Sequence, residues 1–328
     1  MLTGVPRARF ESIVRGFTRR SVLVIGDLMV DEYLRGTAKR ISPESPVMVI
    51  EVETDEFKPG GAANVVNNLR ALGAQAGVVG IVGDDEGGRL LRMELGARGV
   101  DVSGIVSDPT RPTTRKTRII AQNQQVLRVD REQTRPISPE AEQRLLHSLA
   151  ETLKSVDAVL VSDYQKGVLT PTLARGLAEQ AAEAGKPLVA NLKPSSARWL
   201  TGARALSLNL SEAEAVIGER LPEEEGAFQR RGELLARELG AQTLIITRGG
   251  KGLSYWGQSG SYEHVPAHPV EVYDVAGAGD TTISALTLAL ISGATDAEAA
   301  SLANYAGACV VRRSGVATVT AEELLGSL

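Results

Sequence analysis

The sequence predicts an α/β protein built on a mostly parallel sheet with helices on both faces. Three observations carry that expectation. Short apolar runs bounded by turn residues alternate with stretches of helical periodicity. Runs such as Ser21-Val22-Leu23-Val24-Ile25 are apolar throughout, which suits strands buried on both faces. The runs end in acids, amides and glycines, at the edge where open α/β sheets gather their ligands.

Taken in order, Met1 to Arg20 reads as an amphipathic helix, and the first strand closes on Gly26-Asp27 with Asp31 just beyond. Ionised Asp27 and Asp31 accept hydrogen bonds only, so they suit the hydroxyls of a polyol; a loop or cap role fits them as well. Tyr33 to Glu53 carries Gly36, Pro43 and Pro46, then the alternating Val47-Met48-Val49-Ile50-Glu51-Val52, a strand with two unlike faces. It belongs to a small antiparallel lid outside the main sheet. Pro59-Gly60-Gly61-Ala62-Ala63-Asn64 leads into a helix ending at Gly73, and Asn64 offers a donor and an acceptor to a sugar hydroxyl. Gly77 to Val82 is a core strand, and Gly83 to Gly88 caps the next helix. Val100 to Val106 is a short strand. Lys116 to Ala121 and Gln124 to Asp130 form a hairpin with Asn123 near its turn. Its polar positions include Lys116, Arg118 and Arg128, either a solvated face or the inner face of a lid over an anionic substrate. The lid therefore covers about 33–57 and 112–131.

From Pro139 the βα pattern is regular. Strands end at Ser162 before Asp163-Tyr164-Gln165-Lys166, at Asn191 before Lys193, at Leu208 before Asn209-Leu210-Ser211-Glu212, and at Thr247 before Arg248-Gly249-Gly250-Lys251-Gly252. Acidic Glu219 to Glu225 is a solvent loop, and Ser254 to Trp256 with the turn near Gly260 suggests a hairpin. A strand through Val270 and Val272 then precedes Asp274-Val275-Ala276-Gly277-Ala278-Gly279-Asp280-Thr281-Thr282 and a buried helix, Ile283 to Ile291. A glycine-rich turn entering a helix presents unpaired N–H groups and the positive end of the helix dipole to an anion. A carboxylate beside such a site repels the anion, so Asp280 suits a general base that takes a proton from an attacking hydroxyl; the plainer reading is a helix cap. The glycines do not match a dinucleotide fingerprint, and Gly249 to Gly252 lacks the spacing and the Ser/Thr of a P-loop.

At 328 residues, without repeat, linker or low-complexity segment, the chain is expected to form one domain over 1–328. Aromatic residues at 4% exclude an extended base-stacking surface, and a net charge of −4 gives no field that recruits nucleic acid or an acidic membrane. The single cysteine, Cys309, forms no internal disulfide, and His147, His264 and His268 show no metal spacing. There is no signal-peptide pattern and no apolar run long enough to span a bilayer, so a cytoplasmic protein is expected. Acids and amides gathered with two glycine turns fit metal-assisted phosphoryl transfer.

Gly60-Gly61…Asn64, Asn209-x-x-Glu212, Thr247-Arg248-Gly249 and Gly277-Ala278-Gly279-Asp280, in that order, resemble the ribokinase-like (PfkB) carbohydrate kinases over nearly the whole chain. Gly26 to Tyr33, Arg40 to Val47, Gln124 to Asp130 and Ser162 to Gly167 look like the D-glycero-β-D-manno-heptose 7-phosphate kinases, which phosphorylate the anomeric hydroxyl on the route to ADP-heptose. The resemblance implies a ribokinase-like three-layer fold, ATP and Mg²⁺, and a stand-alone kinase, since the chain stops soon after the kinase pattern. It implies Asp280 as base and Gly277, Ala278 and Gly279 as anion hole. Asn209 and Glu212 organise Mg²⁺ through water, and Lys193, Thr247, Arg248, Gly249 and Gly252 border the nucleotide. Val275 and the segment Ala306 to Gly315 flank the adenine. Asp274 binds a monovalent cation such as K⁺. Asp27, Asp31, Gly60, Gly61, Asn64 and Asp163 hold the sugar, and Lys116, Arg118, Arg128 and Lys166 receive its 7-phosphate. Ala276 stands where the family usually has Thr or Ser, and Asn191-Leu192-Lys193 where these heptose kinases usually have Asp-Pro-Lys. Other readings are a kinase for an unphosphorylated pentose or hexose, and an inactive sugar-nucleotide sensor. Apolar lid positions Val47, Val49 and Ile119 predict a homodimer in which two lids pack together.

Overall fold

Apolar run by apolar run, the chain builds a sheet in which one interior strand is far longer than the others. The structure, a computed structural model, describes residues 6–122, 124–257, 260–313 and 315–326; the turn residue Asn123 lies outside them. The elements are α1 (Arg7–Gly16), β1 (Ser21–Ile41), β2 (Met48–Gly61), α2 (Ala62–Ala71), β3 (Gln75–Val82), α3 (Glu86–Ala97), β4 (Asp101–Ser107), β5 (Thr114–Ala121), β6 (Gln124–Arg131) and α4 (Pro139–Leu153). The second half follows with β7 (Ala158–Ser162), α5 (Pro171–Glu183), β8 (Leu188–Asn191), β9 (Ala205–Asn209), α6 (Leu210–Ile217), α7 (Glu225–Leu239), β10 (Leu244–Thr247), β11 (Leu253–Trp256), β12 (Tyr262–Val265), α8 (Ala278–Ile291), α9 (Asp296–Val310) and α10 (Ala321–Gly326).

The main sheet has the order β12-β11-β10-β9-β8-β7-β1-β3-β4, parallel from β4 to β10 and antiparallel at β11 and β12. Along β1, Val22 and Val24 join one core cluster with α1, α2, α8 and α9, while Leu23 and Ile25 join the other with α4, α5 and α7. This alternation is why the run is apolar at every position. Helix α8 is buried along most of its length, with Ile283, Ala285, Leu286, Leu288 and Ala289 each at most 1% exposed.

Strand β1 does not stop at Asp27 as the sequence suggested. It continues to Ile41 and becomes the spine of the lid, pairing antiparallel with β2 and parallel with β5, which pairs antiparallel with β6. The lid thus has the order β2-β1-β5-β6, and its strands begin before residue 33. The expected strand at Val270 and Val272 is absent. Residues 266–274 run without regular structure, Val272 is 58% exposed, and Tyr273 and Asp274 donate their amides to Val311 O at 2.8 and 3.1 Å. Two alternating valines look like a strand, but among the described residues no neighbouring edge accepts their backbone groups.

Candidate active site

Gly277, with φ 79°, is the N-cap of α8, so Asp280 is its third residue and points back to the helix mouth. Asp280 is 5% exposed, and both its carboxylate oxygens are held. Tyr164 O–H donates to Oδ1 at 2.5 Å, and Asn64 Nδ2 donates to Oδ2 at 2.6 Å. Burial pushes the Asp280 carboxyl up to about 6, while the Tyr164 and Asn64 donors and Lys193 pull it back. Burial, with the Asp280 charge behind it, drives the Tyr164 phenol well above its ordinary value, so it keeps its proton and donates. The sequence argument left Tyr164 without a role. Its position at the end of β7, beside Asp163, was the available signal.

A cavity of about 150 Å³ opens at the helix mouth. It is lined by Lys193, Asn209, Glu212, Thr247, Gly277, Gly279 and Asp280, all anticipated, together with Tyr164, Asn191 and Ser207. Residues from β7, β8, β9 and β10 meet here because parallel strands present their carboxyl ends to one edge. Asn209 and Glu212 form the capping box of α6: Asn209 Oδ1 accepts from Glu212 N at 2.9 Å, and Glu212 Oε2 accepts from Asn209 N at 2.8 Å. Glu212 also pairs with Lys193, whose ammonium lies 5.4 Å from the centre of the Tyr164 ring. Among the described residues no three His, Cys, Asp or Glu side chains converge on a metal. Glu212, the cavity carboxylate other than Asp280, suits a hard divalent ion held chiefly by water and phosphate oxygens.

Several expected site residues do other work. Asp27, 1% exposed, accepts from the amides of Tyr164, Lys166 and Val168 at 2.7, 3.1 and 3.2 Å, so it braces a loop and does not face a sugar. Asp163 likewise accepts from Gln165 N at 2.8 Å and from the Ser196 hydroxyl. Arg248 turns away: it bonds Glu225 at 2.9 Å and lies 4.0 Å over the Phe228 ring. Gly249 and Gly252 shape the turn after β10, outside the cavity lining. Ala306 is 0% exposed within the α9 core, so its side chain meets no ligand; the segment to Gly315 includes Ser314, outside the described residues. Ala278 N–H is spent on Val275 O at 3.2 Å, which leaves Gly277 and Gly279 as the turn residues lining the cavity. Asp274 staples two loops, accepting from Ala276 N and Gly315 N at 2.9 Å each, while Val275 is 69% exposed.

The lid places its polar residues by register. Asp31 faces Lys116 across β1 and β5, Tyr33 faces Arg118, and Lys116 and Arg118 face Asp130 and Arg128. These side chains share one face, while Thr117, Ile119, Leu127 and Val129 share the other. Asp31 pairs with Arg118 and lies against Gly60, where a Cβ would come within 2.3 Å of its carboxylate. Lys116 bonds Asp130 at 2.9 Å and Glu132 at 3.3 Å; Lys166 bonds Glu132 at 2.8 Å, and Arg128 bonds Asp130 at 2.9 Å. All four cations, three in the lid and Lys166 in the loop after β7, therefore have carboxylate partners, which the sequence pattern did not indicate.

A buried acid at a glycine-led helix mouth, on the carboxyl edge of a parallel sheet and beneath a polar lid, defines a phosphotransferase acting on a hydroxyl. The chain belongs to the pfkB family of carbohydrate kinases, whose sequence model matches residues 19–323. Membership implies ATP and a divalent metal. It is 44% identical to the bifunctional protein HldE of Geobacter sulfurreducens over 98% of this chain and 66% of that protein. With the bifunctional protein HldE of Caulobacter vibrioides it shares 42% identity over 94% of this chain and 64% of that protein. The chain thus spans somewhat under two thirds of the length of these relatives. Ribokinase of Arabidopsis thaliana, solved with ribose and ATP, superposes with a TM-score of 0.72 at 18% identity, covering 94% of this chain and 98% of that one. Phosphofructokinase-2 of Escherichia coli, solved with potassium, gives 0.77 at 17% identity, covering 94% and 97%. These likenesses establish the ribokinase-like fold.

Proposed function

We propose that the protein transfers the γ-phosphoryl group of ATP to the anomeric hydroxyl of D-glycero-β-D-manno-heptose 7-phosphate, giving the 1,7-bisphosphate for ADP-heptose synthesis in the cytoplasm. The observation that carries the reading is the buried Asp280 carboxylate at the mouth of α8. It takes the proton of the attacking hydroxyl, while the amides at Gly277 and Gly279 face the charge that develops on the transferred group. Asp31 and Asn64 meet sugar hydroxyls; Lys116, Arg118, Arg128 and Lys166 turn from their carboxylates to the 7-phosphate. Lys193 and Thr247 border the nucleotide phosphates, and Val275 the adenine. Glu212 would hold Mg²⁺ through water, and the ion would supply neutralisation of phosphate charge. Asp274, already at the junction of two loops, is the place for a monovalent cation such as K⁺. The HldE relatives support the heptose assignment.

A second reading is favoured by one observation: the lid cations are already paired, which is how a kinase for an unphosphorylated pentose or hexose would look. ADP release with MgATP and K⁺ separates the two, measured against the heptose 7-phosphate, sedoheptulose 7-phosphate, fructose 6-phosphate, ribose and fructose. Turnover confined to the heptose phosphate is the expected result. Turnover only of an unphosphorylated sugar discards the phosphate pocket, and ATP binding without any turnover makes the chain an inactive homologue.

The lid also carries the proposed homodimer. Val126, Leu127 and Val129 on β6 are 47, 53 and 49% exposed, and Val47 and Met48 are 55 and 53% exposed. An edge strand with this much bare apolar surface calls for a covering partner. Light scattering at micromolar concentration is expected to give twice the chain mass of 34.7 kDa. A single chain mass at that concentration removes the lid-to-lid arrangement.

A further inference from the structure

The loop that carries Tyr164 is held more firmly than a surface connection requires. Gln165 adopts φ 57°, a left-handed conformation uncommon for a non-glycine residue. Gly167 has φ 86°, and a Cβ there would come within 2.1 Å of Arg135 O. On one side of the loop, Asp27 collects the three amides described above. On the other stands Arg111, 8% exposed, which donates to Lys166 O at 2.8 Å, Arg135 O at 3.1 Å and Gln133 O at 3.2 Å. The loop is clamped between an anion that takes its N–H groups and a cation that holds its carbonyl. Among the described residues Arg111 makes no ion pair, and its Nη1 is buried without a hydrogen-bond partner; Asp108 and Asp27 supply the negative charge nearby. A buried arginine without an ion pair is costly, so its carbonyl contacts need a reason.

The three carbonyls mark what Arg111 joins. Arg111 lies just before β5, where the chain enters the lid hairpin, and Gln133 and Arg135 lie just after β6, where the chain leaves it. Lys166 belongs to the loop whose Tyr164 phenol rests on Asp280. Ile137 N–H donating to Gly167 O at 3.0 Å, and the Lys166–Glu132 pair, reinforce the same seam. We propose that Arg111 is a positioning residue that ties both roots of the β5–β6 hairpin to the Tyr164 loop, so that lid closure over the sugar is transmitted to the catalytic carboxylate. The inference rests on Asp280 being the base. Both Asp280 oxygens already have donors, so the sugar hydroxyl must enter beside the phenol or in its place. The loop's position decides which, and the hairpin sets that position through Arg111.

Hydrogen exchange on the full chain tests the link without relying on turnover. A non-hydrolysable ATP analogue with Mg²⁺ and the sugar selected by the panel are expected to slow exchange in 114–131 and 163–168 together. Arg111→Lys keeps the charge, but its ammonium ends one bond short of the Nη2 atom that makes all three carbonyl bonds. In it, ligands are expected to slow 114–131 and leave 163–168 unchanged, with kcat lowered about tenfold and the sugar KM within twofold. Tyr164→Phe is expected to lower kcat similarly, and the double variant to lose no more than either single one. Protection of 163–168 persisting in Arg111→Lys, or losses that multiply in the double variant, overturns the proposal. Should Arg111→Lys not fold, the wild-type exchange decides: ligands that slow 114–131 and leave 163–168 unchanged overturn the proposal. If Asp280→Asn keeps full turnover, the reading of the base fails while the exchange coupling stands, so the two failures are distinguishable.

Discussion

Replacing Asp280 with Asn is expected to lower kcat by about 10²–10⁴ while binding of a non-hydrolysable ATP analogue stays within a few-fold. The amide keeps the size of the side chain and its hydrogen bond to one neighbour but cannot take the proton. The pH profile supplies the companion result. Burial holds the Asp280 carboxyl up at about 6, so wild-type kcat is expected to fall as pH drops through that value, when the base becomes protonated. The effect on stability has the opposite sign. The unfolded carboxyl titrates near 3.9, so between roughly pH 4 and 6 the folded chain binds a proton that the unfolded chain does not, and this group favours folding as pH falls through that window. Above it, ionised Asp280 is a standing penalty of about 2–3 kcal/mol. Asp280→Asn removes that charge, so Tm at pH 7.5 is expected not to fall. A near-wild-type rate takes Asp280 out of the chemistry, and a drop of many degrees makes it a structural residue.

Arg118→Ala is expected to raise the KM for the sugar phosphate by about a hundredfold and to lower Tm as well, because it leaves Asp31 as a buried charge without its partner. Breaking such a pair costs about 3 kcal/mol or more. Arg128→Ala separates the two effects. Arg128 is 52% exposed and shares Asp130 with Lys116, so its loss is expected to raise KM for the phosphorylated substrate while Tm hardly moves. With an unphosphorylated sugar neither KM rise from the missing phosphate contact appears. A KM for the heptose phosphate unchanged in both variants removes the phosphate from this face of the lid.

The contrast between Arg118 and Arg128 also shows how far the sequence could be read. The hairpin was legible to within two residues because alternation and a turn are local, and so was the glycine-led entry to α8. What a side chain faces was not. Asp27 at the end of an apolar run looks the same whether it binds a sugar or braces a loop. Its amide partners lie 137–141 residues away, and only the pairing of β1 with β7 brings them together. Tyr164 is 116 residues from the carboxylate it holds. Arg248 sits next to the cavity residue Thr247, yet successive residues leaving a strand point opposite ways, and its guanidinium found Glu225 instead. Ala306 reads the same in a core as against an adenine ring. Spacing along the chain singled out candidate residues; the fold alone decided which of them meet.

The 21 residues of β1 make it, at about 3.3 Å per residue, a beam of roughly 60–70 Å, anchored at one end in the parallel sheet and free at the other. Such a cantilever has no hinge pin at the junction between body and lid. Bending is expected where its stiffness drops, at the register shifts between Arg35 and Gly36 and between Ala38 and Arg40. Deflection should therefore grow toward Ile41 and stay small at Asp31. Asp31 rides on the stiff root of the beam, and the outer tip, with its bare apolar surface, is the part expected to move furthest where no partner lid covers it.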